Sequence, residues 1–231
     1  MIRIRKAQDR GQADLGWLKS QHTFSFASYY DPRHMGVSSL RVINDDRVAP
    51  NAGFETHGHK DMEIISYVIS GTIAHKDSFG NIKTLPAGEF QLMSAGKGIY
   101  HSEFNASNTE PLHFLQIWIQ PDTLGIDAGY QQKAFEQTSA LTAVVTPTGE
   151  NGTLKVQQDA TLYRLMLAPQ EQVHMPQLKP QRQLYVQLVE GTLKVNEQVL
   201  TPGDGAHITA EEVVRFSATD SPVTALVFDL A

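Results

Sequence analysis

The sequence predicts an all-β protein, an antiparallel barrel or sandwich present in two copies. Three observations carry that reading. Apolar residues fall in short alternating runs rather than at helical spacing. Scattered among the runs are 17 glycines and 11 prolines that punctuate them as turns. The two halves also echo each other: a β run, a glycine turn and a second β run at 67–72 recur at 186–193, and Pro86-Ala87-Gly88 has a counterpart in Pro202-Gly203.

Taken in order, strands are expected in the first half at 39–43, 62–70, 72–76, 89–93, 99–104 and 112–119. Six of the nine residues in 62–70 are apolar, and EIISYVI is rich in β-branched and aromatic types. Turn signals separate the runs: SG at 70–71, DSFGN at 77–81, PAG at 86–88 and AGKG at 95–98. From 121 to 139 the alternation loosens, and PDTLGIDAGYQQKAF has helical propensity only in its last part. That stretch is expected to connect two domains, with room for a short helix. The expected division is residues 1–125, a linker at 126–140, and residues 141–231. In the second half strands are expected at 141–145, 152–157, 160–167, 183–189, 192–195, 206–208, 213–217 and 224–230.

Composition narrows the function classes. A chain of 231 residues with 41% apolar content can bury one large β core or two small ones. Lys and Arg total 19 against 25 Asp and Glu, and a net charge of −6 gives no basic footprint for nucleic acid. The absence of cysteine removes disulfides, thiolate nucleophiles, iron–sulfur clusters and thiolate zinc sites. MIRIRKAQDR is not followed by a secretory pattern, and no run approaches the ~18 apolar residues of a membrane span, so a cytoplasmic protein is expected.

The chemistry is concentrated in two motifs. His57 and His59, one residue apart, are answered 42 residues after His59 by His101-Ser102-Glu103. Each pair has the spacing of side chains on one face of a strand, so two neighbouring strands would bring three imidazoles and a carboxylate together. Nitrogen and oxygen donors in that ratio suit iron, nickel, manganese, cobalt, copper or zinc. Strand alternation leaves Glu63 as an alternative carboxylate to Glu103, because it lies four residues past His59. Asp61, Glu63 and Asn105 are the expected hydrogen-bond partners of the ligating rings. His22, His34, His75 and His113 lack such spacing; His75 is expected on an outer, solvated strand and His113 in the core. The second half has neither motif.

These residues resemble a bicupin and, more closely, the pirin family. One altered cupin signature reads Gly53-x3-His57-x-His59-x3-Glu63-x7-Gly71; another reads Gly80-x5-Pro86-x-Gly88 and Gly98-x2-His101-x3-Asn105. HTFSFASYYDP at 22–32, LRVINDD at 40–46, HGHKDMEIISYVISG at 57–71 and SAGKGIYHSEFN at 94–105 are similar to pirins, in particular to the bacterial quercetinases among them. The resemblance implies two tandem cupin barrels of jelly-roll type, with the metal in the first. It implies His57, His59, His101 and Glu103 as ligands, with Glu63 left out. Pirins commonly have proline between the first two histidines, where this chain has Gly58.

The implied activity is that of a quercetin 2,3-dioxygenase: metal-dependent opening of a flavonol's central ring by dioxygen with release of carbon monoxide. Glu103 would take the proton of the substrate's 3-hydroxyl. Iron(II) is the first expectation for the metal, and nickel, copper, cobalt, manganese and zinc accept the same donors. A flat, polyhydroxylated aromatic substrate needs an apolar mouth, for which Phe24, Phe26, Phe54, Met62, Phe90, Phe104, Phe114 and Ile117 are candidates beside their role as core. A monomer is expected. One competing expectation is a redox-responsive iron protein that regulates a protein partner. Another is a metal-dependent isomerase or sugar-binding cupin without redox chemistry.

Overall fold

The structure is a computed structural model that describes residues 1–176 and 181–231. As the alternation predicts, it is nearly all β; the helical segments among the described residues are two 3-10 turns, Ala7–Asp9 and Glu150–Gly152. The chain forms two compact units. One comprises Gly11–Phe135 with Val156–Gln158; the other comprises Met1–Arg10, Glu136–Lys155 and Asp159–Ala231.

Strand β1 (Ile2–Arg5) belongs to the second of these units. The first is built from β2 (Gly11–Asp14), β3 (Leu18–His22), β4 (Leu40–Val48), β5 (Gly53–His59), β6 (Glu63–Ser70), β7 (Thr72–Asp77), β8 (Ile82–Pro86), β9 (Phe90–Ser94), β10 (Ile99–Asn105), β11 (Leu112–Ile119) and β12 (Gly129–Lys133). They pair as a seven-stranded sheet, β12-β9-β6-β11-β4-β3-β2, and a four-stranded sheet, β5-β10-β7-β8. Leu18, Val48, Val68, Leu112 and Phe114 of the larger sheet pack with Ile73 and Leu85 of the smaller. A second apolar cluster contains Ile64, Met93, Ala95 and Ile99, with Trp118 against it.

Between these clusters the larger sheet carries a polar row. His22, Asn44, Gln116, Ser66 and Gln91 stand opposite one another across β3, β4, β11, β6 and β9. The period of two puts Ser66 on the same face as Ile64 and Val68, and Gln116 on the same face as Phe114 and Trp118. All five polar residues are buried. Burying such a row is unfavourable unless its groups find partners, and three of them are used by the site described below.

The second unit repeats the plan. Its later strands are β13 (Leu141–Thr146), β14 (Leu154–Lys155), β15 (Ala160–Leu167), β16 (Gln172–His174), β17 (Gln183–Glu190), β18 (Leu193–Val195), β19 (Gln198–Leu200), β20 (Gly205–Ile208), β21 (Arg215–Ala218) and β22 (Val223–Leu230). They form a seven-stranded sheet, β1-β20-β17-β22-β15-β13-β14, and a four-stranded sheet, β16-β21-β18-β19. Leu184, Val186, Leu188, Ile208, Phe216 and Val227 are among the residues of its core.

The differences from expectation are local. Residues 129–133, within the stretch given room for a short helix, instead form β12 and pair with β9. Strand β8 leaves no apolar alternation in the sequence, because all of its residues but Leu85 are exposed. The run expected at 152–157 shrinks to β14, behind a turn in which Gly149 and Asn151 have φ of 69° and 53°.

Candidate metal centre

Strand β10 lies between β5 and β7 and sets the site's geometry. His101 pairs with His57 and Ile99 with His59, but Glu103 pairs with Phe54. Two steps along β10 therefore match three along β5, and the bulge re-aims the bulged strand. It lets Phe54 and His57, which are out of phase, both line the same cavity. On the other side of β10, Glu103 pairs with His75 and His101 with Asp77.

The three motif histidines converge, their ligand atoms all lying within 4.8 Å of one another. His57 Nε2 and His101 Nε2 are 3.0 Å apart. His57 Nδ1 lies 2.7 Å from the Glu55 carbonyl oxygen, to which it donates, leaving Nε2 with its lone pair. His59 Nε2 is buried without a hydrogen-bond partner. Burial lowers the His59 pKa to about 4, helped by the neighbouring imidazoles of His101 and His57. His101 is likewise lowered to about 4, mainly by burial, against the attraction of Glu103. Both rings are neutral at physiological pH, the state in which imidazole binds a cation.

Glu103 groups with His75 and His101 in a second set of three, again within 4.8 Å, so His101 is common to both sets. Its carboxylate is fully buried and held by donors from the polar row. Gln116 Nε2 donates to Oε2 at 2.9 Å; Gln91 Nε2 and Ser66 Oγ donate to Oε1 at 3.2 and 3.3 Å. Burial raises the Glu103 pKa, but the pull of His101 and the Gln116 and Gln91 hydrogen bonds outweigh it, and the net shift is downward. The group is a preformed carboxylate beside the imidazoles of His75 and His101.

A cavity of about 840 Å³ opens onto His57, His59 and Gln116. Two chains of aromatic rings run along it from the histidines. His59, Trp118, Phe26 and His22 follow one another edge to face at 5.0, 5.4 and 5.2 Å. His57, Phe54 and Trp17 follow at 6.5 and 5.2 Å. Such walls favour a flat aromatic guest. Of the eight expected mouth residues, Phe26, Phe54 and Phe104 line this cavity, Phe24, Phe90, Phe114 and Ile117 are buried, and Met62 packs against the second apolar cluster. Trp17, Trp118 and the polar lining were missed, since only the sheet register turns their side chains toward one space.

Three other expectations are corrected. His75 is not solvated: it is 1% exposed, its Nε2 lies 3.2 Å from Asp77 Oδ2, and its ring lies tilted against that of Tyr130 with centroids 4.7 Å apart. The available signal was its phase with Ile73, which faces the core. Glu63 is not carried on the His57–His59 strand. The chain breaks at Asp61, which has φ of 49°, and Glu63 starts β6, buried and accepting from Ser94 Oγ and the Gln157 amide. Asp61 and Asn105 do not support the histidines: Asp61 accepts from the Gly125 amide, and Asn105 Nδ2 donates to the carbonyls of Val48, Ala49 and Glu110.

Comparison with known proteins places this architecture. Residues 3–119 match the family described as Pirin, and residues 143–230 match the quercetinase C-terminal cupin domain. The chain belongs to the pirin family. It is 50% identical over 231 residues to the quercetin 2,3-dioxygenase of Escherichia coli strain K12, covering 100% of this chain and 99% of that protein. It is 40% identical to a pirin-like protein of Caulobacter vibrioides over 96% of this chain and 97% of that one. Among solved structures, YhhW from Escherichia coli superposes with a TM-score of 0.97 at 49% identity, covering 100% of this chain and 98% of that one. The nickel(II) complex of the bacterial pirin YhhW gives a TM-score of 0.95 at 49% identity, covering 100% and 99%. The two units of this pirin are its two cupin domains, and among the described residues both metal-competent groups lie in the first. In this pirin Gly58 sits against Tyr100, whose ring carbon Cε1 would be 3.0 Å from an added Cβ.

Proposed function

We propose that this pirin is a metal-dependent dioxygenase that opens the central ring of quercetin-type flavonols and releases carbon monoxide. The observation that carries the reading is the convergence of His57, His59 and His101, with Glu103 grouped with His101 on the same strand and His57 and His59 lining an aromatic-walled cavity. The naming of relatives as quercetin 2,3-dioxygenases supports it.

The residues present fit a cation. The lone pair of His57 Nε2 is left free by the bond to Glu55, His59 Nε2 is buried with nothing to bond, and Glu103 is held ionised. His57, His59, His101 and Glu103 would hold the ion. Three neutral donors and one carboxylate leave a divalent site at a net charge of +1, which stabilises a deprotonated substrate hydroxyl and supplies the redox partner for dioxygen. The chain's own residues do the rest. The Trp118–Phe26 and Phe54–Trp17 walls position the flat ring system and exclude water. Glu103 would accept the 3-hydroxyl proton, and Gln116, which lines the cavity, holds its Oε2 in place for the transfer.

The test is aerobic incubation of the full chain with quercetin after reconstitution with iron(II), nickel, copper, cobalt, manganese or zinc. Flavonol absorbance is expected to fall with stoichiometric carbon monoxide for at least one metal. His101→Ala and Glu103→Gln are expected to lose bound metal by elemental analysis and to lower turnover by about 10²-fold or more. Undiminished turnover in both variants would remove the proposal.

A further inference from the structure

Six buried polar atoms on residues that line the 840 Å³ cavity have no hydrogen-bond partner of ordinary geometry within the protein: Ser20 Oγ, His22 Nδ1, Asn44 Oδ1, Asp46 Oδ1, His59 Nε2 and Trp118 Nε1, although the Ser20 hydroxyl is near enough to the Asp46 carboxyl to hold its pKa down. The metal reading accounts for His59 alone. Four of the others form a block on two adjacent strands, Ser20 opposite Asp46 and His22 opposite Asn44. Neighbours on such a block are about 5 Å apart across strands and about 7 Å apart along them, the dimensions of a single substituted ring. Ser20, His22, Asn44 and Asp46 are each at least nine-tenths buried, at 4%, 3%, 4% and 3% exposure. The block joins the metal centre at both ends of its row: Asn44 stands opposite Gln116, which holds Glu103, and His22 continues through Phe26 and Trp118 to His59.

We propose that Ser20, His22, Asn44 and Asp46, with the Trp118 indole, form a subsite that reads hydroxyl groups on the substrate away from its metal-binding oxygen. It rests on the flavonol reading of the same cavity and determines specificity within it. The donor set selects the chemistry. Trp118 only donates, Asn44 Oδ1 only accepts, and Ser20 does both. Hydroxyls, which donate and accept, can satisfy this mixture. A carboxylate guest would meet Asp46 whenever that group is ionised, and an unsubstituted ring would leave every group unpaired, which is the strongest source of discrimination a polar pocket has. A non-aromatic polyol would forgo the ring walls. Burial raises the Asp46 carboxyl to about 7, with the Ser20 hydroxyl pulling it back and the charges of Asp45 and Glu103 adding to the rise. Asp46 is thus able to donate or accept near neutral pH. His22 is held neutral by burial.

The test compares two probes: 3-hydroxyflavone, which carries only the metal-binding hydroxyl, and quercetin, which carries four more. Two readouts are taken on the metal-loaded full chain. One is kcat/KM; the other is binding by quenching of tryptophan fluorescence, since both tryptophans, Trp17 and Trp118, line the cavity. The wild type is expected to prefer quercetin by tenfold or more. Ser20→Ala and Asp46→Leu are each expected to lower that preference severalfold, and the double variant to bring it within about threefold of unity. Their melting temperatures are expected to equal or exceed the wild type's, because each removes an unpaired buried group; should Asp46→Leu fail to fold, Ser20→Ala carries the comparison. Equal wild-type affinity for the two probes, or an unchanged preference in the folded variants, overturns the subsite. If neither probe is turned over but the binding preference and its loss are seen, the dioxygenase reading fails while the subsite stands.

Discussion

Asp46 couples the cavity to pH in a way that can be measured without substrate. Its carboxyl is raised from 3.8 to about 7 in the folded chain, by burial first and then by the neighbouring charges of Asp45 and Glu103, against the Ser20 hydroxyl. A folded pKa above the unfolded one favours the protonated folded state. Its contribution is therefore fully present below about pH 4 and is lost as pH rises through about 7. Three pKa units at about 1.4 kcal/mol each set an upper limit of about 4 kcal/mol. His59 and His101 act in the opposite sense: their pKa values are depressed to about 4, so their contribution is lost as pH falls from about 6.5 toward 4. The difference between wild type and Asp46→Asn isolates the carboxyl. In denaturant titrations of the metal-free chain, that difference is expected to favour the variant by about 1–3 kcal/mol more at pH 8 than at pH 5. A difference that does not change with pH would show that Asp46 titrates normally.

At the scale of the element, β5 and β10 make the site and the bulge between them aims it. The histidine and glutamate spacings are legible in sequence because alternate residues share a face. The extra residue on β5 is not legible, since a bulge is defined by the partner strand. At Gly53 the backbone of β10 occupies the place a side chain would take. A Cβ there would lie 2.4 Å from both the Glu103 carbonyl oxygen and Phe104 Cα, backbone atoms that cannot rotate away. Gly53→Ala is therefore expected to spread β5 from β10, to destabilise the chain by about 1–3 kcal/mol, and to lower metal occupancy. Thermal melts and elemental analysis of the same preparation check both effects. A variant as stable and as metal-loaded as wild type would mean that the strands part at no cost. Strand β7 shows the converse limit. The alternation predicts a strand at 72–76 and the structure has it at Thr72–Asp77, yet His75 faces inward with Ile73 rather than outward, because which face is buried depends on the strands beside it.

At the scale of the molecule, two units share one plan, seven strands with four, and only one unit gathers metal donors among the described residues. A cation stabilises the state and the region that bind it. Added nickel(II) is expected to slow hydrogen exchange most in β5, β7 and β10, and to leave the sheet β1-β20-β17-β22-β15-β13-β14 with little change. Exchange followed by mass spectrometry with and without the ion resolves this peptide by peptide. Equal slowing in both units would place the ion elsewhere. No helix among the described residues is long and apolar enough to cross a membrane.

The sequence by itself carried the β class, the doubled unit and the spacing of the histidine and glutamate motifs, because strand alternation, turn chemistry and donor type are local properties carried by neighbouring residues; the preference for Glu103 over Glu63 came from the resemblance to pirins, not from alternation. Tertiary structure alone decided three things. It broke the chain at Asp61 and turned Glu63 away from the histidines. It brought His75 behind Glu103. It set Ser20, His22, Asn44 and Asp46 on one buried face with Gln116. Each depends on which strand lies beside which and in what register, and register is fixed by contacts between residues distant along the chain.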